Sequence, residues 1–153
     1  MLCDIVQIHI RTQISREVSL LDFNIKDLIP KHKHDSEAVN RLKEIDKELI
    51  DVSPVLDDIF EWIQNINWPV AQELCEVLPD INAEILLPRI KMVLNSDDDS
   101  WQYACIKWLI PNLSRENIEL IKPELERIIN NPTKYEEFCG INEDAKDIFD
   151  EYF

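Results

Sequence analysis

Residues 67–78, NWPVAQELCEVL, are answered one structural unit later by residues 100–111, SWQYACIKWLIP, and this internal echo decides the fold. Trp68 and Ala71 recur as Trp101 and Ala104, Pro79 as Pro111, and Pro88, Ile90 and Leu94 as Pro123, Leu125 and Ile129. Self-similarity at a period of roughly 20–50 residues is the mark of stacked helical units. Each copy reads as helix, proline-marked turn, helix. Such a pair cannot bury its apolar stripe alone, so neighbouring pairs must stack and share a core. The single glycine of the chain points the same way, because tight β-turns draw on glycine for positive φ. The expected class is all-α.

Upstream of the echo, Ala38, Val39, Leu42 and Ile45 share one side of a helix near 36–46, for which Asp35 or Ser36 supplies the cap. Ser53 and Pro54 then read as N-cap and first residue of a helix over 54–65. Its apolar stripe is Val55, Leu56, Ile59, Phe60, Trp62, Ile63 and Ile66. These two helices form an earlier, degenerate copy. Asn67 is placed to cap the first helix of the echo, and its partner is expected to begin near Pro88. Downstream, Asp97, Asp98 and Asp99 set negative charge at the positive end of a helix whose stripe is Trp101, Ala104, Cys105, Trp108 and Leu109. Ser114 starts a short turn and Pro123 opens PELERII. Thr133 with Glu136 makes a capping box, and Gly140 ends that turn. A last helix from about Asn142 packs through Ala145, Ile148 and Phe149.

The sum is about three helix pairs plus a C-terminal cap, forming one domain over residues 23–153. Residues 1–22 stand apart as an N-terminal extension. There Val6, Ile8 and Ile10 alternate like a strand, while Ile10, Ile14, Val18 and Leu21 recur at helical spacing. Trp62 and Trp108 fall inside apolar stripes and are expected in the core; Trp68 and Trp101 are expected at the seam between units.

The chain carries 31 acidic against 16 basic residues, a net charge of −15. That balance repels phosphate backbones and anionic lipid, and argues against nucleic acid as a direct partner. It attracts a basic protein and speeds the encounter. Cys3, Cys75, Cys105 and Cys139 lie far apart with no CxxC pair, and Cys75 and Cys105 sit among apolar helix positions as small buried hydrophobes. Neither a signal peptide nor a membrane-spanning run is evident. A cytoplasmic protein is the expectation.

Lys31, His32, Lys33 and His34 form the sharpest chemical candidate. In an extended connector His32 and His34 project to one side as two metal ligands would, but zinc needs three or four and the only other histidine is His9. A basic clamp, with Lys31 and Lys33 pairing with acidic helix faces, is the competing reading. An EF-hand loop starting at Asp97 would need Gly and Glu where Gln102 and Trp108 stand, so the aspartates read as a helix cap. No GxSxG, P-loop or HExxH motif occurs. Neither a catalytic residue, a cofactor nor a metal is assigned, and the chain is read as a non-enzyme.

The residues LIPKHKHD at 28–35, WIQNINWPVA at 62–71, D-D-x-W at 98–101 and R-I-I-N-N-P-T-x-x-E at 127–136 resemble a small bacterial domain-of-unknown-function family. The resemblance covers residues 23–150 and implies a HEAT-like helical repeat, or α-solenoid, of bacterial cytoplasmic origin. It brings no known activity or site with it.

Function is therefore expected from charges and turns. The leading reading is a protein–protein interaction module for an unidentified basic partner. Its acidity makes it similar to immunity proteins, which bind and silence a toxin. The second helix of each pair should line one surface, bearing Asp57, Asp58 and Glu61, then Arg89 and Lys91, then Glu124, Glu126 and Arg127, with the Lys31–His34 run as a further contact. The rivals are a metal-binding protein or enzyme centred on His32 and His34, and a structural adaptor.

Overall fold

A computed structural model describes residues 23–153 together with the single position Gln7; the expected extension over residues 1–22, with Cys3 and His9, otherwise lies outside the described residues. Every regular element among the described residues is helical. Nine α-helices follow in chain order among them: α1 (Ser36–Glu44), α2 (Ser53–Glu61), α3 (Pro69–Val77), α4 (Ala83–Leu94), α5 (Asp99–Ala104), α6 (Arg115–Leu120), α7 (Lys122–Asn130), α8 (Lys134–Phe138) and α9 (Ile141–Tyr152). Short 3-10 turns occupy Ile25–Leu28, Trp62–Gln64, Leu78–Asp80 and Ile110–Asn112, and a π-helical turn spans Cys105–Leu109.

Local chemistry sets most helix starts. Asp35 caps α1 by accepting from the Ala38 N–H, Asp98 caps α5 through the Trp101 N–H, and Ser114 caps α6 through the Asn117 N–H. Thr133 and Glu136 close the expected capping box at α8, and Gly140 takes the left-handed φ of 73° between α8 and α9. Each of these side chains satisfies a donor that the first helical turn otherwise leaves unpaired.

Three starts differ from the sequence expectation. At α2 the cap position is Val52, with Ser53 and Pro54 as the first two helical residues; Asp51 accepts from the Ser53 N–H and so moves the boundary one residue upstream. At α3 the cap position is Trp68, because the Asn67 N–H is already held by the Asn65 side chain and Pro69 fixes the first helical φ. The helix expected near Pro88 begins at Ala83, where Asn82 accepts from the Glu84 N–H, and Pro88 sits inside α4 with its ring exposed.

The echo survives in detail at the turns. Leu78–Asp80 and Ile110–Asn112 are both three-residue 3-10 turns with proline second. Pro79 has no N–H to offer the Cys75 carbonyl four residues back, and the Asn112 side chain donates to that carbonyl at 3.1 Å from the neighbouring copy. One copy thereby repairs the defect of the other.

Contacts run between alternate helices. Helix α1 packs on α3, α3 on the Cys105–Leu109 turn, and that turn and α5 on α9; α2 packs on α4, and α4 on α6 and α7. The core between them holds Leu42, Leu56, Ile59, Phe60, Leu74, Leu78, Ile90, Leu94 and Ile106, all buried. Full burial of each such side chain contributes about 1.5–3 kcal/mol.

The two tryptophans expected in the core lie outside it, Trp108 furthest. Trp108 is 39 % exposed. A regular helix would carry the stripe through Ala104, Cys105, Trp108 and Leu109, but the wider π turn rotates the chain, so the buried set becomes Ala104, Cys105, Ile106, Leu109 and Ile110. Trp62, also expected in the core, is half-buried at its edge, as are Trp68 and Trp101; the Trp62 and Trp68 rings meet with centroids 5.4 Å apart and planes tilted by 55°, and Trp101 meets Phe60 at 5.7 Å.

Candidate functional site

The Lys31–His34 segment is folded into a turn rather than extended. Asp35 accepts from the Lys31 N–H at 2.9 Å, and this bond leads the interactions that hold its carboxyl below the usual range. The His34 N–H donates to His32 Nδ1 at 3.3 Å, so one imidazole nitrogen is engaged within the turn. The Val70 N–H, at the start of α3, donates to the Lys33 carbonyl at 3.1 Å. The connector is thus pinned by its backbone; among the described residues neither Lys31 nor Lys33 forms an ion pair. No group of three or more potential metal ligands converges among the described residues.

The charges expected on the second helices divide into two sets. Arg89 reaches from α4 to Asp57 on α2 at 2.6 Å, and Lys91 lies 3.9 Å from Glu124 on α7. Arg127 turns inward to Glu136. These pairs tie neighbouring helices together, and Arg89, Glu124 and Arg127 are only partly exposed, contrary to their placement as free surface charges. Asp58, Glu61 and Glu126 are exposed and outside any ion pair formed among the described residues.

The Arg127 cluster was not legible as a unit. Glu136, 2 % exposed, accepts two bonds of 2.8 Å from the Arg127 guanidinium, one from Gln102 at 2.9 Å and one from the Thr133 N–H at 2.8 Å. Burial pushes its carboxyl up, but these donors outweigh it and hold the group below its ordinary value. Gln102 and Arg127 also donate to the Leu94 carbonyl, at 2.9 and 2.7 Å, and so close the C-terminus of α4, where a cation is favoured. Both terminal guanidinium nitrogens of Arg127 and the Gln102 amide nitrogen are spent within the protein, which marks the cluster as structural, although Arg127 Nε is buried without a partner among the described residues.

A groove of about 430 Å³ opens where the starts of α3, α5 and α9 meet. Gln64, Asn65, Ile66 and Asn67 line one wall; Asp99, Ser100, Tyr103, Cys139 and Ile141 line the rest. The Cys139 thiol donates to Asp99 Oδ2 at 3.2 Å, which pushes the thiol up and keeps it protonated. Cys75 and Cys105 are buried in the core, and burial pushes Cys75 up to about 12 and Cys105 well above its ordinary value. None of the three is a thiolate nucleophile.

Charge is unevenly spread. Residues 23–50 hold as many lysines and arginines as acids, so the acidic surplus of the described residues lies on residues 51–153. No helix among the described residues is long and apolar enough to cross a membrane.

Fold and surface together define an all-helical domain with a heavily acidic exterior. The chain belongs to the family described as "Domain of unknown function (DUF5071)", whose model matches residues 28–149. No curated protein matches the chain.

Proposed function

We propose that this protein is a binding module rather than an enzyme, built of HEAT-like stacked helix pairs whose acidic surface docks a basic protein. The alternating contacts of α1 with α3 and of α2 with α4 support the stacked arrangement, as do the matched proline turns. The observation that carries the partner's chemistry is the surplus of exposed carboxylates downstream of α1, among them Asp58, Glu61, Glu76, Glu84, Glu116 and Glu126. Carboxylates left on a surface this way steer a cationic partner and repel an anionic one. The free thiols of Cys75, Cys105 and Cys139 suit a reducing, cytoplasmic setting. An immunity-type inhibitor of a basic bacterial toxin is the specific role that fits these properties.

The test is capture by the immobilised protein at low and high salt, with the captured chain identified and its kinetics measured. The expected partner is basic, and its association rate falls steeply as ionic strength rises. A partner without basic surplus, or an on-rate indifferent to salt, overturns the reading.

A further inference from the structure

The groove between the starts of α3, α5 and α9 has a chemistry of its own. Its lining contains one carboxylate, several carboxamides, a hydroxyl and a phenol, and no lysine, arginine or histidine. Of the Asp99 oxygens, Oδ2 is held by the Cys139 thiol, while Oδ1 takes no hydrogen bond from the described residues. Tyr103, 39 % exposed, forms part of the wall and offers a ring face to the groove's occupant.

The helix starts by themselves would favour an anion, each with about half a positive charge. Here that tendency is offset: Asp98 and Asp99 stand at the start of α5, and Glu143 and Asp144 lie in the first turn of α9. Full carboxylate charges outweigh the partial ones, and the −15 of the whole chain adds to them.

We propose that this groove seats an arginine side chain of the basic partner, its guanidinium on the Asp99 carboxylate and its face against Tyr103. Arginine fits better than lysine. Its planar fork offers five donors, which a carboxylate, the Gln64 and Asn67 carboxamides and the Ser100 hydroxyl can accept together, and it stacks on aromatic rings. The inference rests on the interaction-module reading and names its anchoring contact.

The experiment titrates isotope-labelled full-length protein with Nα-acetyl-arginine amide at low salt and follows amide shifts, with the acetylated amides of norleucine and glutamate as controls. The arginine probe is expected to shift Ser100, Tyr103 and Cys139 and the side-chain amides of Gln64 and Asn67; the controls shift none of them. Asp99→Asn, which keeps the volume, is expected to weaken the binding about tenfold, as loss of a charge-assisted bond does. Tyr103→Leu weakens it by a smaller factor, and Glu44→Gln, at the exposed end of α1, leaves it unchanged. Shifts spread evenly over the acidic surface, or equal weakening by Asp99→Asn and Glu44→Gln, overturn the proposal. If the groove stays silent while a basic partner still binds with a salt-dependent on-rate, the groove assignment fails and the module reading stands; if neither occurs, both fall.

Discussion

At the residue scale, Glu136 and Asn112 show how polar side chains complete a helical stack. Glu136 is nearly buried and gathers Arg127, Gln102 and the Thr133 N–H. Glu136→Ala leaves a guanidinium without its partner and is expected to cost about 3 kcal/mol, read from urea unfolding. The pH dependence follows from the direction of the shift. Because the folded carboxyl lies below its ordinary 4.5, its contribution is complete above that value and is lost as pH falls through the lower folded value. Asp35, also held down, acts with the same sign. Urea midpoints measured from pH 7 downward should therefore drop in the acid range, and less steeply in Glu136→Ala. Asn112→Ala strips the donor from the carbonyl that Pro79 leaves open and is expected to cost about 1–3 kcal/mol, with the buried carbonyl left unpaired.

At the scale of the element, the Cys105–Leu109 turn and Pro88 are the informative irregularities. The π turn moves Trp108 out of the core and brings Ile106 in. Trp108→Ala should accordingly cost about 1 kcal/mol or less, as an exposed substitution does, whereas Leu109→Ala should cost about 2–5 kcal/mol. A denaturation series on the two variants separates a regular helix from a π turn, since a regular helix would make both expensive. Pro88 withholds a donor from the Glu84 carbonyl inside α4. Pro88→Ala is expected to restore that bond and raise the thermal midpoint, by less than the usual interior-proline penalty because alanine also frees the unfolded chain.

At the scale of the whole molecule, charge dominates. A net −15 on a chain of 153 residues repels itself, and the surplus sits on residues 51–153. Added sodium chloride screens that repulsion, so the urea midpoint is expected to rise between about 10 and 150 mM salt, as the Debye length falls from roughly 30 to 8 Å. The same addition should slow association with a basic partner. Opposite effects of one salt series on stability and on-rate would tie both to the same surface charge.

Sequence alone determined the helical class, the helix capping at Asp98 and Ser114, the capping box at Thr133 and Glu136, and the burial of Cys75 and Cys105. Those features depend on periodicity and on contacts within a few residues, which the chain order displays directly. The partners of Arg89, Arg127 and Asn112 were decided only by tertiary structure, because each joins residues more than five positions away whose meeting depends on how helices stack. The groove beside Asp99 belongs to the same class: Asn67, Tyr103 and Cys139 come from three separate segments, and no local pattern brings them together. Trp108 marks the boundary between the two. Its stripe was legible, but a single π turn, packed against α3 and α9, rotated it to the surface, and apolar spacing alone does not tell a π turn from a regular one.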